Sequence, residues 1–313
     1  MPATARAVLE RLAEQEKADG NLPALLVFYR ELLEVQGIVD RQITAPGHEF
    51  SREAAKARLV TGKPLLEFDQ LAIDWAILRG CYREVIALFQ KHPELFGVLP
   101  AGFVAFPPGK ILNRRTVKAW YRGRDIVLPT EKTSSINNQV SSPPLAEKIP
   151  NSNNQIPSPP FPHPGEAVPQ GLLKVVFAAV LKPYLTREAT RLSKVLEPEI
   201  WRRDYCPVCG GAPDLAYLAR DTAARWLVCG RCDMEWLYQR MQCPYCANND
   251  QNKISYFTDE TEVYRLYVCD ACRCYLKAID LRKYSGEALM PLERLLTLDL
   301  DRQAQERGYQ SGI

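Results

Sequence analysis

The chain has 313 residues, of which 46% are hydrophobic, and a formal net charge of +3. This length allows two domains with buried cores, and the near-neutral charge argues against a nucleic-acid binder or a membrane-surface protein. No apolar run approaches the roughly 20 residues of a membrane helix, and the N-terminus lacks the apolar stretch of a secretion signal. We therefore expect a cytoplasmic protein, in which the ten cysteines serve better as metal ligands than as disulfides.

Helical periodicity dominates the first 125 residues. The apolar positions predict a first helix near Leu9, a second over 22–39, and a third that begins near Leu71 and ends before His92-Pro93. A turn is expected at Gly62-Lys63-Pro64. All three histidines of the chain are expected on the surface or in loops.

The segment 129–169 differs from its surroundings because it holds ten of the 24 prolines among Ser, Asn and Gln. This composition buries too little apolar surface to offset chain entropy, so it predicts a flexible linker or long insertion. A further helix is expected over 171–196, with a kink or break at Pro183.

Four Cys-x-x-Cys pairs lie between residues 206 and 272, and they are Cys206/Cys209, Cys229/Cys232, Cys243/Cys246 and Cys269/Cys272. Two thiols three residues apart on a tight turn can bind one metal ion, and two such turns complete a tetrahedral site. The gaps between pairs are 19, 10 and 22 residues. The two long gaps suit hairpins and the short gap suits a connector, so sequential pairing predicts two metal sites.

Short β-like runs separate the cysteine pairs, at 226–228, 236–238, 254–257 and 264–268, and a terminal amphipathic helix is expected at about 286–307. The predicted fold class is α+β. An α-helical domain (1–200) precedes a metal-binding domain (201–313) with two tandem rubredoxin-like or zinc-ribbon modules of four cysteines each and a C-terminal helix.

The four pairs favour a structural or docking role over a redox or metal-donor role, because a ribbon of this size has too little core to fold alone. Tetrahedral thiolate suits both zinc and iron. Gly210 is expected at positive φ, where it turns backbone amides toward the sulfurs. Cys81 is expected in the core and Cys274 is expected to be a bystander. No catalytic or nucleotide-binding motif is present, so we expect neither catalytic nor cofactor-binding residues.

Two other functions fit the cysteine region. Basic residues and tryptophans between the pairs are also found in zinc ribbons that bind nucleic acid, although acidic neighbours dilute the charge. An iron-based redox carrier or sensor is the other alternative.

The cysteine half resembles the formate dehydrogenase accessory protein FdhE family. The residues that carry the resemblance are Tyr205-Cys206-Pro-Val-Cys209-Gly210, Arg225-Trp226-Leu227-Val228-Cys229, Cys232-Asp-Met-Glu235-Trp236, Arg240-Met-Gln-Cys243-Pro-Tyr-Cys246, Cys269-Asp270-Ala-Cys272, Tyr275-Leu276-Lys277 and the tail from Leu298-Asp299 to Glu306-Arg307-Gly308-Tyr309. The sequence departs from the family pattern at Arg273, where a glycine is common, and at the additional Cys274.

The resemblance implies a cytoplasmic, non-catalytic chaperone that binds the catalytic subunit of a formate dehydrogenase and supports its assembly or activation. It also implies two rubredoxin-like metal sites and favours iron, while zinc stays possible. The implied ligands are Cys206, Cys209, Cys229, Cys232, Cys243, Cys246, Cys269 and Cys272. No nucleic-acid or membrane partner is implied. The sequence leaves open which formate dehydrogenase is served, at which step, and in which oligomeric state.

Overall fold

The structure is a computed structural model, and it describes residues 2–45, 47–100, 103, 106–128 and 169–312. The expected insertion at 129–169 lies outside the described residues, except for Pro169. Within the described part no helix is long and apolar enough to cross a membrane.

Ten helices are described. They are α1 (Ala3–Asp19), α2 (Ala24–Gln42), α3 (Arg52–Val60), α4 (Trp75–Lys91), α5 (Pro93–Phe96), α6 (Pro108–Ile111), α7 (Arg114–Tyr121), α8 (Gln170–Leu192), α9 (Met290–Leu296) and α10 (Leu298–Glu306). Helix α4 begins at Trp75, four residues after Leu71, because the Asp74 carboxylate accepts hydrogen bonds from the amides of Ala76 and Ile77. It ends at Lys91, before His92-Pro93 as the sequence predicts.

Helices α2, α4 and α8 pack against one another. Their contact buries Phe28 of α2, Phe89 of α4 and Phe177 of α8, and the same core continues to Cys206 and Tyr267 in the cysteine half. The proposed division between residues 200 and 201 stays a prediction.

Helix α8 runs without a break through Pro183, so the expected split at this residue does not occur. Proline has no amide hydrogen, which leaves the carbonyl of Ala179 without its helical donor. The side chain of Gln36 on α2 donates to that oxygen at 2.7 Å. A neighbouring helix thus supplies the missing bond.

Seven strands form one sheet, and they are β1 (Pro213–Leu218), β2 (Arg225–Cys229), β3 (Glu235–Tyr238), β4 (Ile254–Thr258), β5 (Tyr264–Cys269), β6 (Cys274–Asp280) and β7 (Gln310–Ser311). The strand order is β3-β2-β1-β6-β5-β4, and β7 pairs with β6. The four predicted runs lie within β2, β3, β4 and β5. The sequence did not predict β1 and β6, which pair in parallel and join the two ribbons.

The expected terminal helix is two helices, because Thr297 lies between α9 and α10 with φ −107° and ψ 16°. Its hydroxyl donates to the carbonyl of Glu293 at 2.7 Å, which closes the last turn of α9. The fold class is confirmed: a helical region precedes a mixed sheet that carries two four-cysteine clusters and is followed by C-terminal helices.

Candidate metal centres

The four cysteine pairs adopt one backbone conformation. The residue after each pair has positive φ: 68° at Gly210, 58° at Asp233, 57° at Ala247 and 58° at Arg273. Its amide donates to the carbonyl of the first cysteine of the pair at 2.8–3.2 Å. In this turn the amide two residues after the first cysteine can point at the first sulfur. Val208, Arg231 and Tyr245 make this contact at 3.4–3.5 Å.

Positive φ at Asp233, Ala247 and Arg273 is not apparent from the sequence, since only Gly210 is the residue type that adopts it freely. Contacts hold Arg273 in place. Its guanidinium lies 4.0 Å from the ring centre of Tyr309 and donates to the Asp270 carboxylate at 2.9 Å. The departure from glycine at this position therefore leaves the fourth turn in the same conformation as the others.

The first cluster consists of Cys206, Cys209, Cys229 and Cys232. Its sulfur atoms all lie within 4.8 Å of one another. The Cys206–Cys232 sulfur distance is 3.6 Å and the Cys209–Cys229 distance is 3.5 Å. Four thiolates at about 2.3 Å from a central metal are separated by about 3.8 Å. The sulfurs therefore fit a tetrahedral ion almost without movement.

The second cluster consists of Cys243, Cys246, Cys269 and Cys272, whose sulfurs also lie within 4.8 Å of one another. The Cys243–Cys272 sulfur distance is 3.7 Å and the Cys246–Cys269 distance is 3.8 Å. Each cluster joins a pair with the next pair along the chain, as the sequence predicts. Each could bind one metal ion.

The two clusters differ in burial. All four cysteines of the first cluster are buried, whereas in the second Cys246 is exposed and Cys272 is partly exposed. Burial raises the pKa of Cys206 and Cys232, while hydrogen bonds from neighbouring thiols lower the pKa of Cys209. A metal ion entering the first cluster would have to displace thiol protons, so its affinity would increase with pH.

The remaining cysteines are separate from both clusters. Cys274 points its sulfur at the carbonyl of Cys272, 3.6 Å away. Cys81 is buried on α4, where its sulfur is 3.8 Å from the carbonyl of Val180, and burial raises its pKa to about 12. His92 lies between α4 and α5, outside the helices as expected, but it is buried and does not lie on the surface. His48 is half-buried, and His163 lies outside the described residues.

The comparisons agree with this geometry. The family model described as "FdhE, central domain" matches residues 205–240, which include the first cluster. The FdhE homolog of Aquifex aeolicus is 36% identical over 143 residues, 44% of this chain and 49% of that protein. The chain is similar to FdhE proteins in its cysteine half. The FdhE homolog of Haemophilus ducreyi is 33% identical over 138 residues, 42% of this chain and 44% of that protein.

The match to these FdhE relatives spans at most about half the length of each. A solved structure extends the likeness of fold to nearly the whole chain. The crystal structure of the FdhE protein from Pseudomonas aeruginosa superposes with a TM-score of 0.54 at 20% identity, covering 99% of this chain and 92% of that one.

An ion network joins the first cluster to helices α8 and α9. Asp233, directly after Cys232, binds Lys182 of α8 at 2.6 Å and Arg294 of α9 at 2.5 Å. Arg294 also binds Asp214 at 2.8 Å. Burial by itself raises the pKa of Asp233, but the two cations lower it below its usual value. No pattern in the sequence indicates this network, because its members are far apart along the chain.

A groove of about 580 Å³ adjoins the first cluster. Helices α2, α8 and α9 form its walls, and residues 230–235 of the second cysteine turn close one side. Many of the lining side chains are apolar or small, such as Leu32, Ala178 and Met234. The charged side chains of the lining have partners: Lys182, Asp233 and Arg294 belong to the network described above, Asp40 lies 3.6 Å from Arg187, and Glu235 accepts a hydrogen bond from Tyr217 at 2.7 Å.

Proposed function

We propose that this chain is a cytoplasmic accessory protein that binds the catalytic subunit of a formate dehydrogenase and supports its assembly or activation. The similarity to FdhE proteins supports this function. All ten cysteines are free thiols in the structure, which suits a reducing compartment. The chain itself needs no catalytic activity for this role.

The closed geometry of the two clusters is the observation that carries the proposal. In each cluster four protein sulfurs lie close enough together to fill all four positions of a tetrahedral ion, whereas catalytic metal sites keep a position open for water or substrate. Metal ions at these positions would stabilise the ribbons and hold their surfaces in shape. Such closed centres fit a protein that binds a partner better than they fit an enzyme.

We propose that each cluster binds one metal ion through its four cysteines. Thiolate sets of this geometry accept iron and zinc, and the family resemblance favours iron. Metal analysis of the chain purified from its host would distinguish them, since oxidised iron–thiolate centres absorb visible light and zinc centres are colourless. Fewer than two metal ions per chain would contradict the assignment.

We assign the contact with the catalytic subunit to the groove beside the first cluster. The charged side chains that line it already have partners within the protein, so an uncharged apolar segment complements it best. One wall is formed by residues 230–235, which include Cys232. The shape of the groove would therefore depend on metal in the first cluster.

The test is co-purification of the tagged chain with the formate dehydrogenase catalytic subunit from the native host. In Ala178→Trp (A178W) an indole on α8 fills the groove, and we expect capture of the subunit to fall at least tenfold. The matched control is Ala57→Trp (A57W), an exposed position on α3 that does not line the groove, and it should capture the subunit normally.

Both variants must retain the metal content of the unmodified chain. If A178W captures the subunit as well as A57W does, the groove is not the contact surface. If the unmodified chain captures no formate dehydrogenase subunit under reducing conditions, the proposed function itself is wrong.

A further inference from the structure

Arg225 is a buried arginine between the two ribbons. It begins strand β2, whose other end carries Cys229 of the first cluster, and only 2% of its surface is exposed. Its Nη2 donates to the backbone carbonyls of Gln239 and Gln242, and Gln242 directly precedes Cys243. Tyr238 also donates to the carbonyl of Cys243, at 3.5 Å. The arginine thus supports the first turn of the second cluster.

The charge of Arg225 has no carboxylate partner among the residues that the structure describes. Its guanidinium lies 5.2 Å from the ring centre of Tyr238 and 5.9 Å from that of Tyr267, and its Nε has no hydrogen-bond partner there. Arg265 is a useful contrast. It is 7% exposed and pairs with the Asp280 carboxylate at 2.5 Å. Burying a cation without an anion costs free energy of folding, so we expect another group nearby to balance the charge of Arg225.

The second cluster is the nearby source of negative charge. Arg225, Cys243 and Cys269 line one small cavity of about 20 Å³. Four thiolates around a divalent ion leave a centre with two net negative charges, and around a ferric ion with one. Groups outside the ligand set commonly tune such centres through charge and hydrogen bonds.

We propose that Arg225 is the counter-charge of the second cluster, where its guanidinium stabilises the net negative charge of the metal–thiolate centre. This inference rests on the proposal that the second cluster binds a metal ion. It gives Arg225 a positioning and electrostatic role, outside the ligand set itself. Two consequences follow: the arginine increases metal retention at the second cluster, and with iron bound it favours the more negative ferrous state.

The first test compares zinc retention against a chelator in the unmodified chain, Arg225→Met (R225M) and Arg225→Lys (R225K). Alkylation of the exposed Cys246, followed by mass spectrometry, reports release from the second cluster alone. We expect R225M to lose this zinc roughly 10- to 100-fold more readily, with the first cluster unchanged. R225K keeps the charge and should stay within a few-fold of the unmodified chain.

The matched control is Arg265→Met (R265M), which removes a buried arginine that already has a carboxylate partner. Its effect on zinc retention should be small. Equal retention in R225M and the unmodified chain would overturn the proposal, as would an R265M effect as large as that of R225M. If R225M fails to fold even with metal in both clusters, Arg225 is needed for folding, and the proposal is also overturned.

The second readout is the midpoint potential of the iron-loaded protein. Loss of the Arg225 charge disfavours the ferrous state, so the midpoint potential of the second cluster should be lower in R225M than in the unmodified chain. If the substitution weakens the ferrous state tenfold more than the ferric state, the potential falls by about 59 mV. An unchanged potential would contradict the proposal. If the unmodified second cluster binds neither zinc nor iron, the metal assignment fails first and this inference fails with it. Equal metal binding in R225M and the unmodified chain would instead contradict this inference and leave the metal assignment intact.

Discussion

His92 lies between two carboxylates at the junction of α4 and α5. Its Nε2 is 3.1 Å from Oε2 of Glu31, its Nδ1 is 3.0 Å from Oε1 of Glu94, and its side chain is 8% exposed. Burial by itself lowers the pKa of His92, but the two carboxylates outweigh burial and raise the pKa above its ordinary value of 6.5. Folding therefore favours the protonated imidazole.

This residue should make the stability of the fold depend on pH. Because the folded-state pKa is raised, the contribution of His92 is fully present below its unfolded pKa and is lost as pH rises through the folded pKa. We expect the free energy of unfolding, measured by urea denaturation, to fall as pH rises above about 6.5, the ordinary pKa of histidine. His92→Gln (H92Q) should remove this part of the decline, whereas H48Q should keep it. An identical pH profile for H92Q and the unmodified chain would contradict the prediction.

At the scale of elements, α2 completes the hydrogen bonding of α8. Pro183 cannot donate to the carbonyl of Ala179, and Gln36 does so instead at 2.7 Å. The bond fixes the register of the two helices at the edge of the groove, which Gln36 and Ala179 both line. A proline inside a helix is therefore compatible with an unbroken helix because another element supplies the donor.

A double-mutant cycle tests this exchange of partners. Gln36→Leu (Q36L) leaves the Ala179 carbonyl without a donor and should lower the free energy of unfolding by about 1 kcal/mol. In a Pro183→Ala (P183A) background the helix regains its own donor, so Q36L should cost much less. Urea denaturation of the four chains gives the coupling energy. Strictly additive effects would show that Gln36 stabilises the fold by other contacts.

For the whole molecule, the first cluster belongs to the main core and the second does not. Cys206, Cys209, Cys229 and Cys232 share a hydrophobic core with α2, α4 and α8. After α3, the amides of Leu65 and Leu66 donate at 2.8 Å to the carbonyls of Pro207 and Val208 in the first cysteine turn. Cys243 and Cys269 pack in a separate small cluster with Ile254.

This difference predicts the order of metal loss. A chelator should remove metal first from the more exposed second cluster while the helices persist, and the later loss from the first cluster should lower the helical circular dichroism signal. Metal content and circular dichroism measured together over a chelator titration follow both events. Loss of the helical signal with the first ion released would contradict this order.

The sequence by itself determined the chemistry of the two clusters and most of the helices. Spacing of the cysteine pairs is enough to pair them in order, because the gaps of 19 and 22 residues suit hairpins within a site and the gap of 10 suits a connector between sites. Apolar periodicity is likewise local and placed the core of α2, α4 and α8. Residues 129–168 lie outside the described structure, so the expectation for them stays a prediction.

Only the tertiary structure decided the features that depend on residues far apart along the chain. The parallel pairing of β1 with β6, the partners of Asp233, the burial of His92 and the unpaired charge of Arg225 are of this kind. Positive φ at Arg273 also depends on a distant partner, Tyr309. Such contacts depend on how the elements pack, and local sequence propensity does not indicate them.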